Sequence, residues 1–323
     1  MRYIVVGAGA VGGTIGGRLF QGGHDVVLVA RGAHYDALGR DGLRLVTPDS
    51  AETLDIPVAR EPVRLRDDDV LILAVKSQDT IAALDPWPRH LPVVCAQNGV
   101  ANERTALRRF EQVYGMCVWL PASHLEPGTV TAYGAPMSGM LQVGPYPRGT
   151  DDLSEQLAAD LRKSSFAGSA VPDVMRWKYA KLLGNLGNAC EALCGHAPGR
   201  ESIVERARAE GRTVLDAAGI AYASPEEESD RRGDQVRIQP VDGVQRSGGS
   251  SWQSLARGSG TIEADYLNGE IVLIGRELGI PAPANEVLRR EANRSAREQL
   301  PPGSMSPRAL TELIDAHAAA VSG

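Results

Sequence analysis

Residues 3–13 read Tyr-Ile-Val-Val-Gly-Ala-Gly-Ala-Val-Gly-Gly. The apolar run Tyr3 to Val6 has the pattern of a short buried strand, and it opens directly into Gly7, Gly9 and Gly12, spaced G-x-G-x-x-G. Glycine at the first position permits a tight turn, at the second lets a pyrophosphate approach the backbone, and at the third lets the next helix pack closely on the strand. That helix is predicted over Ala10 to Phe20, and the free N–H groups of its first turn, at Ala10, Val11 and Gly12, favour an anion. A second strand is predicted at Asp25 to Ala30. Where a dinucleotide-binding unit selects NAD, an acidic residue at the end of that strand accepts from the ribose 2′-hydroxyl. This chain has Arg31 there, and a guanidinium suits a 2′-phosphate, so NADP(H), as NADPH or NADP, is the expected cofactor.

Working outward, Val70 to Val75, Pro92 to Ala96 and Gly115 to Leu120 read as further buried strands separated by helical or loop segments. Such alternation implies a mostly parallel sheet with helices on both faces. Extended pieces follow at Gly128 to Tyr133, Met140 to Val143 and around Ala170, with a helix at Asp152 to Ser164. From Asp173 the pattern changes to long helical periods at Val174 to Leu193, Ser202 to Ala218, Gly260 to Leu278 and Ala284 to Gln299. The expected fold class is α/β: an N-terminal Rossmann-type doubly wound sheet over residues 1–172, then an all-helical domain over 173–323 that binds substrate and leaves room for a homodimer. Pro225 to Gly249, rich in charged residues, Ser and Gly, can be helical at its start and is otherwise expected to be a surface loop and a candidate lid.

The 323 residues suffice for two domains, and a 43% hydrophobic content provides each with a core. Lys and Arg number 34 against 40 Asp and Glu, with no basic stripe, which argues against a nucleic-acid partner. No apolar run approaches a membrane span and the N-terminus is a strand, so a cytoplasmic protein with no membrane partner is expected. Cys95, Cys117, Cys190 and Cys194 lack C-x-x-C spacing and are expected to be reduced. Cys190, Cys194 and His196 are near neighbours, but His196 lies past the helix-ending Gly195 and three ligands are too few; core packing, and no metal, is the expectation.

Four clusters carry chemistry beyond the glycine loop. Lys76-Ser77-Gln78 and Gln97-Asn98-Gly99 each follow a predicted strand, at the strand ends where open parallel sheets bind ligands. In the third, Trp177 to Asn188, a continuous helix would put Lys181, Asn185 and Asn188 on one stripe, and Asn is a poor helix former without another role. Gly184 and Gly187 interrupt the same helix at about 1 kcal/mol each relative to Ala, which points to the close approach of another helix or a ligand. The fourth runs from Ser250-Ser251 to Glu263, Asp265, Tyr266 and Asn268; Glu263 supplies a carboxylate able to hold or polarise a lysine.

In order and spacing, these elements together resemble the ketopantoate reductases, the 2-dehydropantoate 2-reductases of pantothenate biosynthesis, over nearly the whole chain. In that family the Rossmann domain holds NADPH and the helical domain closes over it. The resemblance implies that Lys181 is the general acid for the keto oxygen of a small 2-oxo acid and that Glu263 orients it. It further implies that Asn98, Asn185, Asn188 and Ser251 position the substrate, and that Lys76, Gln78 and Asn98 line the cofactor. Lys178 is a rival for the catalytic lysine, but only Lys181 has an Asn four residues on. Two positions depart from the family pattern: Ala189 stands where a second Asn is usual, with Asn188 one place early, and Gly248 lies where an Asn contacting ketopantoate is expected. Reduction of another branched 2-oxo acid, a carbonyl or an imine is the alternative activity. A non-catalytic NADP-binding sensor is the alternative class, although a sensor has no need of both Lys181 and Glu263.

Overall fold

Strand Arg2–Val6 lies inside an eight-stranded sheet in the computed structural model, which describes residues 1–322. Numbered in chain order within this sheet, the strands are Arg2–Val6, Asp25–Val29, Val58–Ala59, Asp69–Leu73, Val93–Cys95, Val113–Trp119, Met140–Pro145 and Ala167–Ala170. Their spatial order is 3-2-1-4-5-6-7-8, which contains the 3-2-1-4-5-6 order of dinucleotide-binding sheets. Every pairing is parallel except that of the seventh strand with the sixth. Successive residues of the first strand serve opposite cores, Tyr3 and Val5 on one face and Ile4 and Val6 on the other. Burial on both faces is why this strand reads as an unbroken apolar run rather than an alternating one.

The sequence reversal of the sheet falls at the first strand, whose Val6 pairs with Val29 on one side and Leu73 on the other. The Gly7 loop, Arg31 and the segment leading to Lys76 therefore leave the sheet at one edge, the ligand-binding edge of such folds. Two smaller sheets accompany the large one. Ala51–Leu54, Leu43–Val46, Thr129–Ala132 and Ala122–Ser123 form a four-stranded sheet, and Gly134–Pro136 pairs with Val236–Ile238.

The chain divides into two compact units, Met1–Lys178 with Ala223–Arg246, and Tyr179–Tyr222 with the residues from Ser247 onward. This differs from the expected division after residue 172. The helix Val174–Asn185 starts within the sheet unit, where Val174 sits so close to Gly115 that a Cβ on that glycine would lie 2.9 Å from Val174 Cγ1. The segment from Pro225 as far as Arg246 returns to the same unit, with the helix allowed at its start and a strand where loop is expected. A capping box of Ser224 and Glu227 starts the helix Pro225–Arg232, whose Glu227 meets Arg176 at 2.5 Å and whose Arg231 guanidinium lies 4.9 Å from the Trp177 ring. Strand Val236–Ile238 then adds to Gly134–Pro136, so the turn between the two elements and the residues after the strand keep the loop character read from composition.

The second unit is helical among its described residues, with Asn188–Cys194, Arg200–Ala217, Ser250–Ala256, Asn268–Leu278, Pro283–Arg297 and Pro307–Ser322 beside the end of Val174–Asn185. Two helices expected to be continuous are broken. Val174 to Leu193 is interrupted at Leu186-Gly187, and Gly260 to Leu278 becomes a 3₁₀ turn, Glu263–Tyr266, followed by the helix Asn268–Leu278. The close approach implied by the glycines is met at Gly187, where a Cβ would lie 3.1 Å from Val204 of the helix Arg200–Ala217, and a Cβ on Gly211 of that helix would lie 2.7 Å from Leu186. At Gly184 a Cβ would meet nothing within 4 Å, so that glycine has no such neighbour among the described residues. Among the described residues no helix is long and apolar enough to cross a membrane, and no group of three or more His, Cys, Asp or Glu is placed to hold a metal ion.

Candidate active site

The glycine loop has the geometry its spacing implies. Gly7 takes φ +97°, which favours glycine, and a Cβ on Gly12 would fall 1.9 Å from the Gly7 carbonyl oxygen. Gly9 differs: a Cβ there would meet nothing within 4 Å, so its missing side chain leaves open the approach to the first turn of Ala10–Gln21, where Val11 also lies. A cavity of about 290 Å³ opens beside this loop, lined by Gly7 and Ala8, by Ala30, Arg31 and His34 beyond the second strand, and by Arg60 beyond the third. A backbone loop at a helix start, with two guanidinium groups along the same rim, fits a phosphate-bearing dinucleotide.

His34 steadies the loop. Its Nε2 lies 2.8 Å from the Ala8 carbonyl oxygen, which can only accept, while its Nδ1 accepts from the Gly128 N–H at 2.9 Å. Both bonds together require the neutral imidazole with the proton on Nε2. Burial holds the His34 pKa below the usual imidazole value, with the Ala8 bond opposing that shift. Nothing in the sequence near His34 marked this role, because both of its partners are backbone groups distant in the chain.

Lys76-Ser77-Gln78 and Gln97-Asn98-Gly99 are tied together by a residue that the sequence reading missed. Asn102 is buried and its Nδ2 donates to the Asn98 carbonyl oxygen at 2.9 Å and to Ser77 Oγ at 3.2 Å. Its Oδ1 accepts from Thr80 Oγ1 at 2.9 Å, and Thr80 Oγ1 in turn accepts from Gln97 Nε2 at 2.8 Å. The backbone carrying Asn98 and the turn carrying Lys76 and Gln78 thus share one interlocked set of buried polar groups. Lys178 completes it from the start of the Val174–Asn185 helix, forming an ion pair with Glu103 and donating to the Gln97 carbonyl oxygen at 3.1 Å. Lys178 is 3% exposed and doubly engaged, as suits a structural cation.

In the helical unit Lys181 and Asn185 keep their i, i+4 relation on Val174–Asn185, both half-buried. The break at Gly187 takes Asn188 off that helix and makes it the first residue of the next, so the expected single stripe of three is two residues and a neighbour. Asn185 Nδ2 is buried with no hydrogen-bond partner among the described residues, which suits a donor meant for a ligand. Asn188 and Glu191 face the start of Ser250–Ala256: Glu191 Oε2 accepts from the Gly249 N–H at 2.8 Å, and a Cβ on Gly249 would lie 3.6 Å from Asn188 Oδ1. Ser251 and Glu263 are buried, the latter in the 3₁₀ turn rather than a helix. Asn268, by contrast, is structural, with its Nδ2 donating to the Leu186 carbonyl oxygen and to Asn285 Oδ1, both at 3.0 Å.

A family profile described as "Ketopantoate reductase PanE/ApbA" matches residues 3–148, and its companion for the C-terminal part matches residues 173–294. The chain belongs to the ketopantoate reductase family. Among its ketopantoate reductase relatives, the 2-dehydropantoate 2-reductase of Archaeoglobus fulgidus is 31% identical over 302 residues, covering 89% of this chain and 95% of that protein. The enzyme of the same name from Pyrococcus horikoshii is 28% identical over 310 residues at the same coverage. A solved ketopantoate reductase from Ralstonia eutropha superposes with a TM-score of 0.77 at 30% identity, covering 93% of this chain and 99% of its own. A D-mandelate dehydrogenase solved with NADH and anilino(oxo)acetate has the same fold, with a TM-score of 0.77 at 20% identity over 93% of this chain and 100% of its own. As a member of the ketopantoate reductase family the chain is an oxidoreductase.

The two departures from the ketopantoate reductase pattern have local explanations. Ala189 is 1% exposed and belongs to the interior, whereas Asn188, restarted at a new helix, is half-buried beside Gly249. At Gly248 a Cβ would lie 2.5 Å from Trp252 Cγ, so the indole of Trp252 occupies the space that a side chain at 248 would need.

Proposed function

We propose that the chain reduces 2-dehydropantoate to pantoate with NADPH, Lys181 acting as the acid. Membership of the ketopantoate reductase family across both parts of the chain carries this reading. The fit of the cofactor supports it: the open approach at Gly9, the cavity beside Gly7 and Ala8, and Arg31 in place of an acidic residue suit NADPH. When bound, that cofactor supplies a hydride from its nicotinamide to C2 of the 2-oxo acid. Negative charge then grows on the keto oxygen, where the Lys181 ammonium donates a hydrogen bond and finally its proton, giving the 2-hydroxy acid. Glu263 orients the lysine. Asn98, Asn185, Asn188 and Ser251 hold the polar groups of the substrate, while Lys76, Gln78 and the backbone of Ala10 to Gly12 hold the cofactor. All four cysteines are buried in the interior, which accords with a reducing cytoplasmic setting.

The packing of Trp252 against Gly248 favours a second reading, in which another branched 2-oxo acid is preferred. Following NADPH oxidation by absorbance with ketopantoate, 2-oxoisovalerate and pyruvate in parallel separates the two. Fast turnover selective for ketopantoate is the expected result. Selectivity for 2-oxoisovalerate would move the assignment to the second reading, and tight NADPH binding without turnover of any of the three would favour a sensor.

A further inference from the structure

Arg60 has no place in the glycine motif or the other clusters, and lies 29 residues beyond Arg31. The fold nevertheless brings the two together. Strand Val58–Ala59 pairs in parallel with Asp25–Val29, Val29 standing opposite Ala59, and the Ala30 N–H donates to the Ala59 carbonyl oxygen at 3.0 Å. Arg31 and Arg60 thus leave the ends of adjacent parallel strands, and both line the cavity beside Gly7. The Arg60 side chain is exposed, and two neighbours bias the direction of its guanidinium. Its Cζ lies 4.3 Å from the centroid of Tyr35, and its Nη2 is paired with Asp36 Oδ1. Tyr35 and Asp36 belong to the helix Gly32–Asp41, which begins directly after Arg31.

Glu61 and Asp79 also line the cavity, so net charge alone does not select an anion there. Geometry does. A guanidinium has five donors in a planar fork, and a single bond to Asp36 leaves others for a second acceptor while the ring contact holds the plane. We infer that Arg60 is a second determinant of cofactor choice, a guanidinium held by Tyr35 and Asp36 that joins Arg31 on the 2′-phosphate of NADPH. This rests on the NADPH reading above and adds to it a residue that discriminates against NADH.

The test is direct binding, by quenching of protein fluorescence or calorimetry, of NADPH and NADH to the full chain and to Arg60→Ala, Arg60→Lys and Arg31→Ala. Adenosine 2′,5′-bisphosphate and AMP serve as non-redox probes. Arg60→Ala should raise the Kd for NADPH by roughly tenfold or more while changing that for NADH by less than about twofold, the size expected for losing charge-assisted hydrogen bonds to one phosphate. The bisphosphate should lose affinity in the same ratio and AMP should not. Arg60→Lys should recover only part of the loss, because the planar fork is gone. Unchanged thermal unfolding of the variants, expected for an exposed side chain, confirms that binding alone is being read. Equal weakening of NADPH and NADH would overturn the inference and make Arg60 a packing residue for the adenosine, and so would no weakening of either. Tighter binding of NADH than NADPH by the unaltered protein would instead overturn the cofactor reading itself.

Discussion

In the sheet-containing unit the candidate cofactor residues are chain ends: Gly7, Arg31, Arg60 and Lys76 each follow a strand, and parallel pairing fixes their spacing before any side chain is considered. In the helical unit Lys181, Asn185, Asn188, Ser251 and Glu263 lie on short helices and a turn, and their directions depend on where those elements break. In the first arrangement much of the binding surface is backbone, supplemented by a few strand-end side chains such as Arg31 and Arg60. The second concentrates its chemistry in individual side chains. Substitutions in the helical unit should therefore act on turnover, and those in the sheet unit on stability and cofactor affinity.

The sharpest test of that difference compares two lysines one helical turn apart. Lys181→Ala should lower kcat by about 10²–10⁴-fold, the usual range for general acid–base catalysis, with the Kd for NADPH and the unfolding midpoint almost unchanged. Steady-state rates beside fluorescence titration read both quantities, and an active variant would remove Lys181 from its role. Lys178→Met should do the reverse. It leaves Glu103 buried without its cation, which costs about 3–5 kcal/mol of stability, whereas the double change with Glu103→Leu should recover much of the loss. Denaturant unfolding of the single and double variants measures this, and a single variant as stable as the parent would show that the pair does not hold the fold.

Asn102→Ala sits between the two regimes. It strips partners from Ser77, Thr80 and the Asn98 carbonyl oxygen at once, for a loss of about 1–3 kcal/mol. Because Asn98 moves with its backbone, KM for the 2-oxo acid should rise more than the loss in stability alone explains. A variant with normal KM and lowered stability would restrict Asn102 to a structural part.

The smallest expected effect is a pH dependence. His34 is held neutral by the fold, so its pKa lies below that of the unfolded chain. Above about pH 6.5 its contribution is fully present; as the pH falls below that value the unfolded chain takes up the proton more readily, and stability declines. His34→Gln should flatten this part of the stability profile between pH 7 and 5 when unfolding midpoints are compared. An unchanged slope would mean that other groups set the acid limb.

Much of this was readable before the structure. The glycine spacing, the apolar runs and the strand-end position of Arg31 predicted a dinucleotide-binding sheet, because those features are local and each has one backbone meaning. The periodicity predicts longer helices than form at Gly187 and before Asn268, since an apolar pattern continues smoothly across a break in the backbone. Beyond its helical start, the 225–249 segment reads as loop because its composition is polar. Its strand, Val236–Ile238, is fixed by a partner about a hundred residues away, at Gly134–Pro136.

The sequence by itself determined the parallel sheet, the phosphate loop and the residue types available for the chemistry, because strand runs, glycine turns and strand-end charges are encoded within a few neighbouring positions. Only the tertiary structure decided which lysine is buried and spoken for, that Asn102 joins two loops, that His34 is a neutral clamp on Ala8, and that Arg60 stands beside Arg31. Each of these depends on polar groups meeting across long sequence separations in a low-dielectric interior or at a shared sheet edge, and no local pattern records which partner a buried donor will find.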